Sequence, residues 1–209
     1  MTKRPALRVL RALKILYPDA HCELSFRDPL ELLVATILSA QCTDVRVNAV
    51  TPALFKKYRR AGDYARSGPG EIEALIRPTG FYRAKASAIR AAAGTIAGDF
   101  GGEVPRSMGE LLRLKGVARK TANVVLGTAF GIPSGVTVDT HVKRLSWRLG
   151  LTREKTPEKI ERDLMKALPR EEWIFFGHAL IWHGRRVCRA RSPNCPGCAM
   201  KSFCPRRGV

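Results

Sequence analysis

Four of the six cysteines lie in the last 22 residues, Cys188, Cys195, Cys198 and Cys204, spaced C-x6-C-x2-C-x5-C. Four thiolates crowded together need positive charge to stay deprotonated, which a metal centre supplies. In a reducing compartment such crowding points to metal before disulfides. Structural zinc sites usually present two short C-x2–4-C knuckles. Here only Cys195 and Cys198 form one, and the longer gaps suit a larger iron–sulfur centre, with zinc as the alternative. Cys22 and Cys42 read as buried small hydrophobes rather than ligands.

A second constellation lies upstream. Leu111 to Phe130 reads LLRLKGVARKTANVVLGTAF, a short helix, a turn at Lys115-Gly116-Val117-Ala118 and an apolar helix. The N–H groups at the start of that second helix point outward and can hold a phosphate. Arg119 and Lys120 occupy its first turn, where the helix dipole disfavours cations. Lys120 therefore suits either an anion contact or an amine that attacks carbon. On composition alone the phosphate contact is the simpler reading. Nineteen residues on, Asp139 stands in Val138-Asp139-Thr140-His141-Val142-Lys143-Arg144. It caps the helix running to Leu149, and its second oxygen can still stabilise positive charge or accept a proton.

The elements that must carry these groups read as helices throughout. Asp28-Pro29-Leu30-Glu31 and Ser107-Met108-Gly109-Glu110 have the residues of helix N-termini, and Thr156-Pro157-Glu158 opens a further helix bearing Ile160, Leu164 and Leu168. Ala84 to Ala97 is alanine-rich and ends at Gly98, while Gly135 to Thr140 hints at extended chain too short for a sheet. The fold class is all-α. Pro133-Ser134-Gly135 reads as a connector.

The 209 residues carry 37 Lys and Arg against 18 Asp and Glu, a net charge of +19. The excess is uneven: from Gly184 to Val209 there are seven basic residues and no acid. Such self-repelling charge is best explained by a polyanionic partner, nucleic acid above all. The longest apolar stretch, Leu30 to Ala40, is well short of the roughly 20 residues of a membrane span. With no signal core at the N-terminus, the expected location is cytoplasmic, nucleoid-associated in a bacterium or archaeon.

Taken in order, LSAQCTD (Leu38 to Asp44), GFY (Gly80 to Tyr82), KGVARKTANVVL, VDTHV and the four-cysteine tail resemble the endonuclease III branch of the helix-hairpin-helix DNA glycosylases. The resemblance covers nearly the whole chain. It implies a two-lobed helical fold: a six-helix barrel at about residues 22–132 bearing the hairpin, and a discontinuous lobe, 1–21 with 133–209, whose loop 188–204 holds one 4Fe-4S cluster. Lys120 matches the family's nucleophile and Asp139 its catalytic aspartate, and Cys188, Cys195, Cys198 and Cys204 match the cluster ligands. Gln41 matches the residue that fills the gap left by a flipped nucleotide. Phe81 matches a wedge against the opposite strand, usually leucine. From the residues alone, Gln41 would be an exposed helix end and Phe81 a core aromatic. Lys115, Gly116, Val117, Ala118 and Arg119 would carry the DNA backbone with Arg189 and Arg191, while Asp44, Thr121 and His141 are candidates for the pocket.

The implied partner is duplex DNA with an oxidised pyrimidine or an abasic site, bound by a monomer with no membrane involvement. The implied reaction extrudes the base, Lys120 attacks C1′ with Asp139 assisting, and β-elimination through a Schiff base cuts 3′ of the site. The turn departs from the usual L-P-G-V-G, with Lys115 adding charge and Ala118 strained if that position needs positive φ. A same-fold mismatch glycosylase is a rival, opposed by Lys120. A weakly active or non-catalytic damage-binding protein is another, opposed by Lys120 with Asp139.

Overall fold

The computed structural model describes residues 3–68 and 70–209, and these form α-helices, two short 3-10 helices and no strand. The chain divides into two compact units, Glu23–Ile132 and Met1–Cys22 with Pro133–Val209. Helix α1 (Lys3–Leu16) shows how the basic composition is compatible with a core. Ala6, Val9, Leu10 and Leu13 recur at helical spacing and are buried, while Lys3, Arg4, Arg8, Arg11 and Lys14 stay exposed.

The Glu23–Ile132 unit opens with α2 (Pro29–Leu38), which is buried along almost all its length. Asp28 caps it by accepting the Glu31 N–H at 2.9 Å, and Glu31 reaches back to the Arg27 N–H at 2.8 Å. Next come α3 (Asp44–Lys57), α4 (Ala61–Ala65), α5 (Glu71–Ile76) and a 3-10 turn, Arg77–Thr79. Helix α6 (Tyr82–Asp99) continues one residue past Gly98, and the chain reverses at Gly101 and Gly102, both with positive φ. A single turn, α7 (Met108–Leu111), is capped by Ser107, and the hairpin then leads into α8 (Arg119–Phe130). Leu32, Leu33, Leu38, Leu54, Tyr64, Ile89 and Leu111 form part of the core of this unit.

In the other unit, residues 131–139 form no regular element, although Val136, Thr137 and Val138 are buried. Three helices follow: α9 (Thr140–Arg148), α10 (Pro157–Ala167) and α11 (Trp173–Arg186). Thr156 precedes α10 as expected, but its side chain makes no capping bond; Pro157, with no N–H to satisfy, occupies the first turn. Leu13, Leu145, Leu164, Phe176 and Leu180 are fully buried together in one core. Residues 187–209 are turns and loop held on this core by Met200, which is buried among them.

Candidate functional site

Gly116 has φ +81°, a conformation that side-chain-bearing residues rarely adopt, and a Cβ there would lie 2.8 Å from that of Ala88 on α6. Positive φ and close approach both demand glycine. Ala118 needs neither: its φ is −94°, so the expected strain is absent and the turn places its left-handed residue two positions earlier. Val117 is buried and anchors the turn, while Lys115 and Gly116 face solvent. Ala118 is the N-cap of α8 and offers no side-chain acceptor to the N–H groups of the first turn. Lys120 is exposed in that turn, with Arg119 and Thr121 half-buried beside it.

Two further loops of this unit bear Gln41 and Phe81. Both are exposed, with φ of 52° and 48°. Left-handed backbone at a residue with a side chain costs on the order of 1 kcal/mol or more, so two instances need support from their surroundings. Phe81 is 67% exposed at the N-cap of α6, which excludes the core-aromatic reading. Asp44 is half-buried at the first position of α3, behind its N-cap Thr43. Lys85, which the sequence did not single out, is 5% exposed and donates from Nζ to the carbonyls of Leu38 and Thr79, each at 2.8 Å. Burial holds its pKa below the ordinary lysine value.

In the other unit Asp139 caps α9, its Oδ1 accepting the Val142 N–H at 2.8 Å. His141 is half-buried on the first turn, its Nδ1 lies 3.2 Å from an Arg144 nitrogen, and a Cβ on Gly184 would come within 2.9 Å of its own Cβ. Burial, Arg144 and Arg185 lower the His141 pKa against the opposing pull of Asp139. His178, half-buried on α11, is pushed down to about 4, chiefly by desolvation and then by His21, with Asp139 again opposing.

None of the four tail cysteines is in a disulfide, and with Arg148, His183 and Leu149 they line one cavity of about 30 Å³. Burial pushes the Cys198 and Cys204 thiols up, and the neighbouring cysteines add to this. Among the described residues no three His, Cys, Asp or Glu side chains draw together as the ligands of a single metal ion do. N–H groups face the sulfurs, among them Arg148 Nη1 at 3.5 Å from Cys188 Sγ and the Arg206 backbone at 3.4 Å from Cys204 Sγ, and His183 Nε2 lies 3.6 Å from Cys198 Sγ. Cys22 and Cys42, expected to be buried, are only half so.

Sequence reasoning also missed two arginines on α9. Arg144 donates to the carbonyls of Gly184 and Cys188, both at 2.9 Å, and buried Arg148 to those of Arg189 at 2.7 Å and Ala190 at 3.0 Å. They fix the backbone from which exposed Arg189 and Arg191 project. Their i, i+4 spacing was visible, but their acceptors are main-chain oxygens and leave no mark in a sequence.

Residues 34–170 match the sequence model of the HhH-GPD superfamily of base excision DNA repair proteins. The chain is 58% identical to the Endonuclease III of Synechocystis sp. over 203 residues, 97% of this chain and 93% of that protein. It is 48% identical to the Bacillus subtilis Endonuclease III over 190 residues, 90% and 86% of the two chains. Among solved structures, a trapped covalent Endonuclease III–DNA intermediate superposes with a TM-score of 0.94 at 46% identity, covering 99% of this chain and 97% of the other. A thermostable thymine-DNA glycosylase shares the fold alone, with a TM-score of 0.86 at 22% identity over 97% and 96% of the chains.

Proposed function

The chain belongs to the HhH-GPD superfamily of base excision DNA repair proteins, and we propose that it is a bifunctional DNA glycosylase and abasic-site lyase of the endonuclease III type, acting on oxidised pyrimidines in duplex DNA. The observation that carries this reading is the hairpin: a glycine turn packed on Ala88, an N-cap with no side-chain acceptor, and an exposed lysine in the first turn of α8. The N–H groups of that turn suit a phosphate, with Lys115 and Arg119 adding charge. That leaves Lys120 as the amine for chemistry.

In this reading the neutral Lys120 amine attacks C1′ of the extruded nucleotide and the base departs. Asp139 supports the positive sugar or takes a proton through Oδ2, since Oδ1 is engaged by the cap. The resulting Schiff base acidifies C2′, and β-elimination breaks the 3′ C–O bond. Gln41 and Phe81 fill the gap and wedge the opposite strand, and Asp44, Thr121 and His141 are the candidates for recognising the base. The division of the chain into Glu23–Ile132 and the remainder supports the two-lobed reading.

Cys188, Cys195, Cys198 and Cys204 suit one 4Fe-4S cluster, for they share the lining of one cavity, meet N–H donors and form no disulfide. When bound, the cluster supplies the charge that keeps four thiolates together and closes the 188–204 loop. With Arg144 and Arg148 it would hold Arg189 and Arg191 for phosphate contact. Among the described residues no helix is long and apolar enough to cross a membrane.

Borohydride trapping on DNA with an abasic site or thymine glycol tests the reading. A covalent complex is expected with the unmodified chain and absent in Lys120→Ala. Failure of the folded protein to trap would overturn the lyase mechanism.

A further inference from the structure

We propose that Lys85 is a positioning residue, a buried clamp that holds the Gln41 and Phe81 loops in one mutual register so that gap filling and strand wedging occur as a single event. The inference rests on the glycosylase reading above and adds a residue to it.

The geometry is specific. Leu38 ends α2, three residues before Gln41, and Thr79 ends the 3-10 turn, two residues before Phe81. The Lys85 ammonium donates to both carbonyls at 2.8 Å. Its backbone N–H donates to the Phe81 carbonyl at 3.0 Å, so the same residue grips the Phe81 loop twice. Two segments, their carbonyls 41 positions apart, are thus tied through one nitrogen. Each runs directly into a non-glycine residue held at positive φ, a conformation that persists only where the surroundings enforce it.

Simple helix capping does not account for the choice of residue. A C-terminal carbonyl can be satisfied by water or by a glycine-led turn, and burying an ammonium carries a desolvation penalty. Lys85 is the only buried lysine among the described residues, while Arg83, Ala84, Ser87 and Arg90 around it on α6 are exposed. The end of α2 favours a cation through its dipole, and Thr79 supplies a second acceptor from a different segment. What a lysine adds is a charged group that ties the two together.

The test separates support of the loops from support of the fold. Gln41 and Phe81 matter when a strand must be opened against its complement, whereas Lys120 also meets an abasic site in single-stranded DNA. Single-turnover cleavage by the full-length cluster-loaded protein is measured on an abasic oligonucleotide, single-stranded and in duplex. In Lys85→Met the ratio of duplex to single-strand rate is expected to fall tenfold or more. The rise of 2-aminopurine fluorescence opposite a reduced abasic site should be lost as well, with helix content retained. In a Gln41→Ala/Phe81→Ala background the same substitution should change the ratio less than twofold, since the loops it serves are already disarmed.

Equal losses on both DNA forms, or no loss on either, would overturn the clamp and leave Lys85 a fold-stabilising residue. If Lys85→Met does not fold, Lys85→Gln is measured in its place, and a ratio within twofold of the unmodified chain overturns the proposal. An unmodified protein that cleaves neither DNA would instead sink the glycosylase and lyase reading and the clamp with it. That outcome shows in the control, before any variant is compared.

Discussion

Gly116→Ala puts the physical account of the hairpin at risk in a single methyl group. The substitution has two separable costs. A side chain at φ +81° costs about 1 to 2 kcal/mol in backbone strain. The new methyl would stand 2.8 Å from the Ala88 Cβ, closer than packed carbons tolerate, and such overpacking costs about 1 to 3 kcal/mol. Together they predict a loss of roughly 2 to 5 kcal/mol, with the melting temperature falling about 2 to 4 °C for each. Ala88→Gly alone should cost about 2 kcal/mol, from helix propensity and a lost buried methyl. Combining them removes the clash and lets one methyl occupy the space of the other, but leaves the strained φ. The double variant should therefore be more stable than the sum of the singles by about 1 to 3 kcal/mol. Urea unfolding followed by far-ultraviolet dichroism measures all four proteins. Additivity within about 0.5 kcal/mol would show that Gly116 and Ala88 do not share one space, and the packing argument for the hairpin would fail.

Other expected outcomes follow from the same reasoning. Asp139→Asn keeps a good N-cap, so its stability should stay within about 0.5 kcal/mol while single-turnover base excision falls a hundredfold or more; Asp139→Ala should lose a further ~1 kcal/mol of stability, and an active, stable Asp139→Asn would remove the charge from the mechanism. His178 is half-buried and held at about 4 against 6.5 when exposed, so the unfolded chain binds the extra proton between those values. Its contribution is complete above pH 6.5 and is lost as pH falls towards 4, with a slope of up to about 1.4 kcal/mol per pH unit. His178→Gln should flatten the dependence of the urea midpoint on pH between 6.5 and 5, leaving the share of His183, also buried and near 4; an unchanged slope would contradict the burial argument. Cys195→Ser should reduce bound iron and visible absorbance together and loosen the 188–204 loop to proteolysis, and full iron content in that variant would remove Cys195 from the ligand set.

The legible part of this molecule is the part whose chemistry is written in side chains. Four clustered thiols, a lysine just past a glycine turn and an aspartate at a helix start each announce themselves by residue type, and Asp28, Ser107 and Asp139 cap as their types require. Two short elements were not legible: α4 and α5 span five and six residues, too few for a helical period to repeat. The strain expected at Ala118 was misplaced because the turn can carry its positive φ at Gly116, and only coordinates show which residue bears it. Its type alone would make Phe81 a core residue, and only the resemblance marks it as an exposed wedge; it stands 67% exposed at the left-handed N-cap of α6. The least legible groups share one property. Lys85, Arg144 and Arg148 each donate to main-chain carbonyls, which every residue possesses. Nothing in the residue types at positions 38, 79 and 189 marks them as acceptors, so no motif could reveal these contacts. A lysine that contacts backbone from two segments is indistinguishable in sequence from one that faces solvent, and its burial on α6 is what separates the two. Reactive groups can therefore be found from sequence, whereas the groups that hold them in register emerge only when each buried cation is traced to its acceptors.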